Sequence, residues 1–359
     1  MTITVDAKVL LGAIKKVEEV TSAKNLNFHF SENNLKITAM VNQYRMELNL
    51  PIECQEECKF CIFTDSIMPI LENKELITFE LSGNNLKFKA GRSHGNLITI
   101  AYEEIPFADN KGEALDDAIK NFIFQNLYRV SYSGKNVSEN IPLKVQIKDN
   151  KIKMLGMEMN YSGLIIEPMD GTDDAEFSIL LKYATLITKI FPIDEELKIV
   201  STDSSVEIYS KSCKVVLPKI ADGESITIEG MEQVIAENVT NVEPLGKIQF
   251  QNPKEFLDDL SELQKFITGD NVVRIKIYRK DEKSPVEMEA STKNGKLKKK
   301  IDAENKVKGV FDTQLNLENL KAIVEKNLDD KLVLSIYPTF CTIRSAKSKY
   351  SIYMLIVMR

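Results

Sequence analysis

Three stretches of this chain carry one pattern. Pro69 to Gly91 reads PILENKELITFELSGNNLKFKAG, Ile187 to Ser212 reads ITKIFPIDEELKIVSTDSSVEIYSKS, and Lys321 to Ala346 reads KAIVEKNLDDKLVLSIYPTFCTIRSA. Each passes from an apolar helix end through an acidic turn to Glu-Leu or Lys-Leu. Two alternating strands joined by a short turn follow. The anchor leucines Leu76, Leu197 and Leu332 lie about 120–135 residues apart, a domain-sized period and too long for a solenoid. The chain therefore builds one similar unit three times.

A second helix opens each unit. DAKVLLGAIKKVEEV sets Val9, Leu10, Ala13, Ile14 and Val17 at helical spacing, and DDAIKNFIFQNLYRV does the same with Ile119, Phe122, Ile123 and Val130. NPKEFLDDLSELQKF supplies Phe256, Leu257, Leu260 and Leu263, with Asn252 as N-cap and Pro253 at the first helical position. Between helices lie period-2 segments such as LNFHFSENNLKITAM, which predicts a hairpin about Glu32-Asn33-Asn34. Turn formers concentrate in IPFADNKGEALDD (Ile105 to Asp117) and ENVTNVEPLG (Glu237 to Gly246). These joints predict domains over 1–112, 113–243 and 244–359.

Little in the chain points to catalysis. There are two histidines, His29 and His94, neither with a carboxylate or cysteine at ligand spacing. No phosphate-cradling glycine motif occurs. The acidic pairs Glu103-Glu104, Asp116-Asp117, Glu195-Glu196 and Asp329-Asp330 fall in polar turns or helix starts and read as solvated acids. No cofactor or metal is expected. Cys54, Cys58 and Cys61 are the exception: C-x3-C-x2-C resembles the iron–sulfur motif of radical S-adenosylmethionine enzymes. Against that, CKFCIF alternates as a strand, so Cys58 and Cys61 face opposite sides, and no βα alternation follows. Two readings stay beside the enzyme: a three-unit scaffold without DNA, and a binding protein that meets DNA. No apolar run approaches the roughly 20 residues a membrane helix needs. The start MTITVDAKVLL lacks a basic signal-peptide region. A cytoplasmic protein with no membrane partner is expected.

The net charge of −6 argues against a surface that grips nucleic acid everywhere, but it permits a local basic face. Lys8 and Lys15 share a polar helix face with Gly12. Lys182, Thr185 and Lys189 recur at i, i+3 and i+7 on LKYATLITKIF, and Lys254, Ser261 and Lys265 lie on a third helix. GKLKKK, around Lys296 to Lys300, reads as an exposed edge strand whose lysines discourage aggregation.

The order and spacing of these segments resemble the bacterial-type DNA sliding clamp, the beta subunit of the replicative DNA polymerase III. SGNNLKFKAGRSHGNLITIAYEEIPF (Ser82 to Phe107), KVVLPKIADGE and the ending YMLIVMR are each similar to family segments, and the likeness covers the whole chain. The resemblance implies an α+β fold of three tandem domains, each with two helices packed on antiparallel sheet. It implies a ring closed by a head-to-tail homodimer, helices lining the hole, duplex DNA threaded through, and no enzyme activity. DNA polymerase and the clamp loader are the implied partners. They would insert a peptide into an apolar groove at Leu155, Met157, Tyr161, Ser162, Pro338, Phe340, Met354, Ile356, Val357, Met358 and Arg359. Lys24 and Lys182 match positions near DNA, and Lys8, Lys15 and Lys189 join them from their helix faces. Ile105, Phe107, Phe266 and Ile267 would form the dimer interface. Two departures stand out. MEMNYS (Met157 to Ser162) replaces the usual Thr-Asp-Gly-His-Arg-Leu, and in the tail Val357 stands where the family has proline and the family usually ends one leucine later. Such divergence would suit a phage- or plasmid-encoded clamp.

Overall fold

The computed structural model describes the chain from Thr2 to Ile356 except for residues 56, 84, 108–116, 131–141, 159–160, 171–173, 181–186, 188, 193, 219–226, 268–273, 282–283, 306–309, 329–330 and 346–350. It packs as two compact units. The first contains residues 1–120 and 186–219, the second residues 121–185 and 220–359.

Along the chain the elements begin with strand β1 (Thr2–Asp6), helix α1 (Ala7–Thr21) and strands β2 (Asn25–Ser31), β3 (Asn34–Val41) and β4 (Tyr44–Pro51). The same order then repeats in β5 (Cys58–Phe63), α2 (Thr64–Leu71), β6 (Leu76–Ser82), β7 (Asn85–Ala90) and β8 (Ser93–Ile98). Helix α3 (Asp117–Val130) precedes β9 (Pro142–Lys148), β10 (Lys151–Glu158) and β11 (Tyr161–Pro168). Next come β12 (Ala175–Leu180), β13 (Lys198–Ser201), β14 (Ser205–Tyr209) and β15 (Cys213–Pro218). Helix α4 (Ile228–Ile235) runs directly into a π-helical turn, Ala236–Thr240. The last third holds β16 (Gly246–Phe250), α5 (Pro253–Phe266), β17 (Arg274–Arg279), β18 (Glu287–Thr292), β19 (Gly295–Lys300), the short β20 (Ala303–Asn305), β21 (Phe311–Asn316), α6 (Leu317–Glu325), β22 (Leu332–Ile336), β23 (Phe340–Ser345) and β24 (Ser351–Ile356). Strand, helix and three strands is thus the repeating module. Among the described residues it is complete four times, opening at β1, β5, β16 and β21. The repeat seen in the sequence is the second module of each pair.

Local chemistry sets these elements. Asp6 caps α1 by accepting from the amides of Lys8 and Val9 at 2.8 and 2.9 Å. Leu10, Ala13, Ile14 and Val17 are buried on its core face, as their spacing predicts. Asn252 caps α5 with Pro253 behind it, also as expected. The β2–β3 hairpin turns at Asn33, whose φ of 58° is the left-handed region asparagine tolerates. Asp149 and Asn150, at 54° and 55°, turn β9 into β10, and positive φ at both positions suits a tight hairpin. ENVTNVEPLG departs from expectation: its first four residues are π-helical rather than a turn-rich joint.

In the first unit, β1-β6-β7-β8 form one sheet and β13-β14-β15-β4-β3-β2-β5 another, all antiparallel. Phe28, Phe30, Phe60 and Phe79 pack together between them, and Phe28 and Phe60 stack at 5.3 Å. In the second unit, β19-β18-β17-β21 form a four-stranded sheet. The other sheet has nine strands in the order β12-β9-β10-β11-β24-β23-β22-β16-β20. Helices α5 and α6 fill the core through Phe256, Leu260, Leu263, Leu317, Leu320 and Ile323.

Strand β24 accounts for the apolar C-terminal segment. It is hydrogen-bonded to β11 on one side and to β23 on the other. Tyr353, Met354 and Leu355 are buried in succession because both sheet faces are covered, so alternation disappears. Tyr353 and Leu355 enter the core below α5 and α6, and the buried Tyr353 hydroxyl bonds Asn327 at 3.2 Å. Met354 belongs to a separate cluster on the opposite face. Leu355→Ala should therefore destabilise the second unit by about 2–5 kcal/mol in urea titration. Val310→Ala, at a side chain 63% exposed, should stay within about 0.5 kcal/mol of the wild type.

Candidate partner-binding groove

The face of the nine-stranded sheet opposite α5 and α6 is built in cross-strand rows. Leu155, Leu164 and Ile352 are in register across β10, β11 and β24. One step along, Met157, Ser162, Met354 and Thr342 form a second row that reaches β23. Helix α4 lies on this face with Ile228, Met231 and Ile235 buried against Leu155, Leu164 and Met354. Around that contact, Met157, Ile166, Val234, Val239, Phe340 and Ile352 are apolar and only partly buried. The result is an apolar surface between a sheet and a helical wall, rimmed by side chains a partner can still reach.

Polar clips hold the wall. Lys153 is 7% exposed, and its ammonium meets Glu232 at 2.7 Å. Gln146, also buried, donates to Glu229 at 2.8 Å. That bond holds the Glu229 carboxyl below its usual range. At the far end the Tyr337 hydroxyl donates to the Val239 carbonyl at 3.4 Å. The Tyr337 ring stacks on Phe340 with centroids 4.7 Å apart.

Among the groove residues expected from sequence, Leu155, Met157, Ser162, Phe340 and Met354 come together here, and Pro338 is exposed in the adjoining β22–β23 turn. Tyr161 and Ile356 lie in β11 and β24, with side chains outside the described residues. Val357, Met358 and Arg359 are outside them altogether. Sequence reasoning missed Leu164, Ile166, Ile352 and the whole α4 wall. The signal was present: Ile228, Met231 and Ile235 recur at i, i+3 and i+7.

The expected basic positions lie in the first unit where they are described. Lys8 and Lys15 are exposed on one α1 face with Gly12 and Glu19, and Lys189 is exposed. Lys24 pairs with Glu18 at 2.9 Å, which raises its pKa. Lys182 lies outside the described residues.

Of the four expected interface residues, Ile267 is buried in the single chain, and Ile105, Phe107 and Phe266 keep exposed surface. Ile267 extends the buried α5 stripe one turn past Leu263 and is 5% exposed. Ile105 lines a cleft of about 240 Å³ with Asn27 and Met40. Phe107 lies 6.0 Å from the Lys214 ammonium, and Arg45 donates to the neighbouring Pro106 carbonyl at 3.0 Å. Phe266 is 37% exposed and lies over Gly295 at the start of β19. β8 ends the four-stranded sheet of the first unit opposite β1, and β19 ends that of the second unit opposite β21.

The cysteines do not converge. Cys58 shares the core face of β5 with Phe60, whereas Cys61, three residues on, points to the other side and accepts from the Asn25 amide at 3.8 Å. Burial pushes the Cys61 thiol up, away from the thiolate a cluster needs. Among the described residues no group of His, Cys, Asp or Glu is arranged to hold a metal, and no helix is long and apolar enough to cross a membrane.

The lysine-rich β19 is an edge strand, as read. Three of its four lysines are paired: Lys296 and Lys298 bracket Glu289 at 3.0 and 3.2 Å, and Lys299 meets Asp259 and Glu262 on α5.

No known protein-family profile matches the chain, and no curated protein sequence does. Solved structures do. A DNA polymerase III beta subunit of Streptococcus pyogenes superposes with a TM-score of 0.79 at 9% identity, covering 100% of both chains. A putative beta subunit of Eubacterium rectale gives 0.76 at 17%, again over 100% of both. A Pseudomonas aeruginosa sliding clamp bound to griselimycin gives 0.80 at 13%, over 100% of this chain and 99% of that one. The chain has the sliding-clamp fold.

The Glu289 ladder yields a pH test. Burial alone would raise this carboxyl, but Lys296, Lys298 and the Ser291 hydroxyl overrule it and hold it near pKa about 2. A depressed carboxyl stabilises the fold above its ordinary value of 4.5 and loses that contribution as pH falls toward about 2. Urea midpoints of the wild type should fall across that window, and those of Glu289→Gln should fall less.

Proposed function

We propose that this protein is a DNA sliding clamp, a processivity factor that encircles duplex DNA and tethers a replicative polymerase. The supporting observation is a clamp fold matched from end to end, with an apolar, helix-walled groove on the sheet that takes in β24. Pairs of modules form the three domains 1–112, 113–243 and 244–359. Two chains close head to tail into a ring, with helices lining the hole. Polymerase and clamp loader dock by a short peptide on Leu155, Met157, Phe340 and Met354, joined by Tyr161, Ser162, Pro338, Ile356, Val357, Met358 and Arg359. Lys8, Lys15, Lys24, Lys182 and Lys189 belong to the lining. A modest basic lining on a chain of net charge −6 suits sliding, since a topological link needs no tight grip. The protein carries no catalytic activity and works in the cytoplasm.

For the ring interface we favour the free sheet edges. β8 carries the exposed Ile98, β19 lies below Phe266, and edge strands offer unpaired backbone groups to a second chain. The clamp reading predicts a solution mass of two 40.7 kDa chains, and retention, after loading, on nicked circular DNA but not on linear DNA. Phe266→Asp should give a folded monomer that is not retained. Equal retention on both DNAs, or a monomeric wild type, would remove the ring.

The groove reading has its own test. Deleting residues 357–359 leaves the β24 ladder intact, since its last pair is Phe340 with Ile356. The truncated protein should melt like the wild type yet bind a fluorescent polymerase-tail peptide at least tenfold more weakly, because anchors of this kind are each worth about 1–3 kcal/mol. Unchanged affinity would restrict those residues to a structural role.

A further inference from the structure

We propose that Tyr337 is a positioning residue for the groove, the latch that fixes the far end of its helical wall. The inference rests on the groove reading above. The wall is α4 continued by the π-helical turn Ala236–Thr240, and its half-buried side chains Val234 and Val239 face the apolar cluster. A helix end leaves its last carbonyls without intrahelical donors, and an uncommon π-turn at such a place tends to mark a working site. Two of these carbonyls receive side-chain donors. Asn238 donates to Val234 from within the wall, at 3.0 Å. Tyr337 donates to Val239 from a different element, the β22–β23 hairpin, at 3.4 Å. It is therefore a bond that ties the end of the wall to the sheet.

Tyr337 is suited to the task. Its ring is 5% exposed, and the turn that carries it is closed by its own amide donating to the Phe340 carbonyl at 2.9 Å. Phe340 stacks on that ring with an interplanar angle of 19° and is itself only partly buried at the rim. One buried tyrosine thus orients an aromatic contact surface and holds the wall across from it. Burial raises the Tyr337 pKa, against opposing pulls from Arg344 and Thr342, so the hydroxyl remains a donor at neutral pH.

Tyr337→Phe keeps the ring and deletes the hydroxyl, with its bond to Val239 and its contact with Thr342. In the full-length protein, hydrogen exchange across residues 236–242 should speed up severalfold with the melting temperature unchanged. The fluorescent polymerase-tail peptide should bind about 3- to 10-fold more weakly, through faster dissociation, or about 0.7–1.4 kcal/mol. Tyr337→Leu, which also loses the stacking, should bind more weakly still. If the wild type binds the peptide and Tyr337→Phe binds it equally well, or if exchange across 236–242 does not change, Tyr337 is no latch. A wild type that fails to bind the peptide sinks the groove reading itself, a result distinct from either of those.

Discussion

The second unit depends on β24 being hydrogen-bonded along both edges. A strand contributed from the end of the described chain joins β11 to β23, so that one sheet of nine strands spans residues 142 to 356. Every backbone group on such a strand is satisfied by ladders on either side, which lets apolar side chains cover both its faces without cost in unpaired polar groups. Tyr353 and Leu355 then serve one core and Met354 another. The same strand supplies the domain core and the floor of the groove. A partner that docks there meets a surface the fold cannot give up.

The charged residues follow a rule that repeats in both units. Glu47 is nearly buried, with Lys214 directly opposite on β15 and Lys36 diagonally across on β3. Glu289 has Lys298 directly opposite and Lys296 diagonally placed. A carboxylate flanked this way loses little by leaving water, and the lysine stems cover sheet surface while their ammonium groups stay wet. Many of the lysines are thus consumed by structure. Lys8 and Lys15, on an exposed helix face, are among the cations left as candidates for phosphate contact.

Much of the architecture was legible in the sequence, and the failures share a cause. Helices α1, α3 and α5, the Asn33 turn and the β19 edge could be read because their signals are local: a 3.6 or 2.0 period, a cap, a turn former. Ile267, which the resemblance places at an interface, stands four residues after Leu263 on the buried stripe, a place the helical period by itself assigns to the core. Nothing local tells that the segment of Ile105 and Phe107 is tied down by Arg45 and lies beside Lys214. The α4 wall was overlooked because a two-turn helix with three apolar residues reads weakly beside a turn-rich joint.

What the sequence determined by itself is the repeated module, since each strand and helix is encoded by the residues it contains. The cross-strand pairings were beyond it. Register between Leu164 and Ile352, or between Val216 and Arg45, joins residues more than 160 positions apart. No periodicity carries that information, because any apolar strand edge can accept any other. Only packing in three dimensions selects the partner, by asking which pairing buries both faces at once and leaves no backbone donor unpaired.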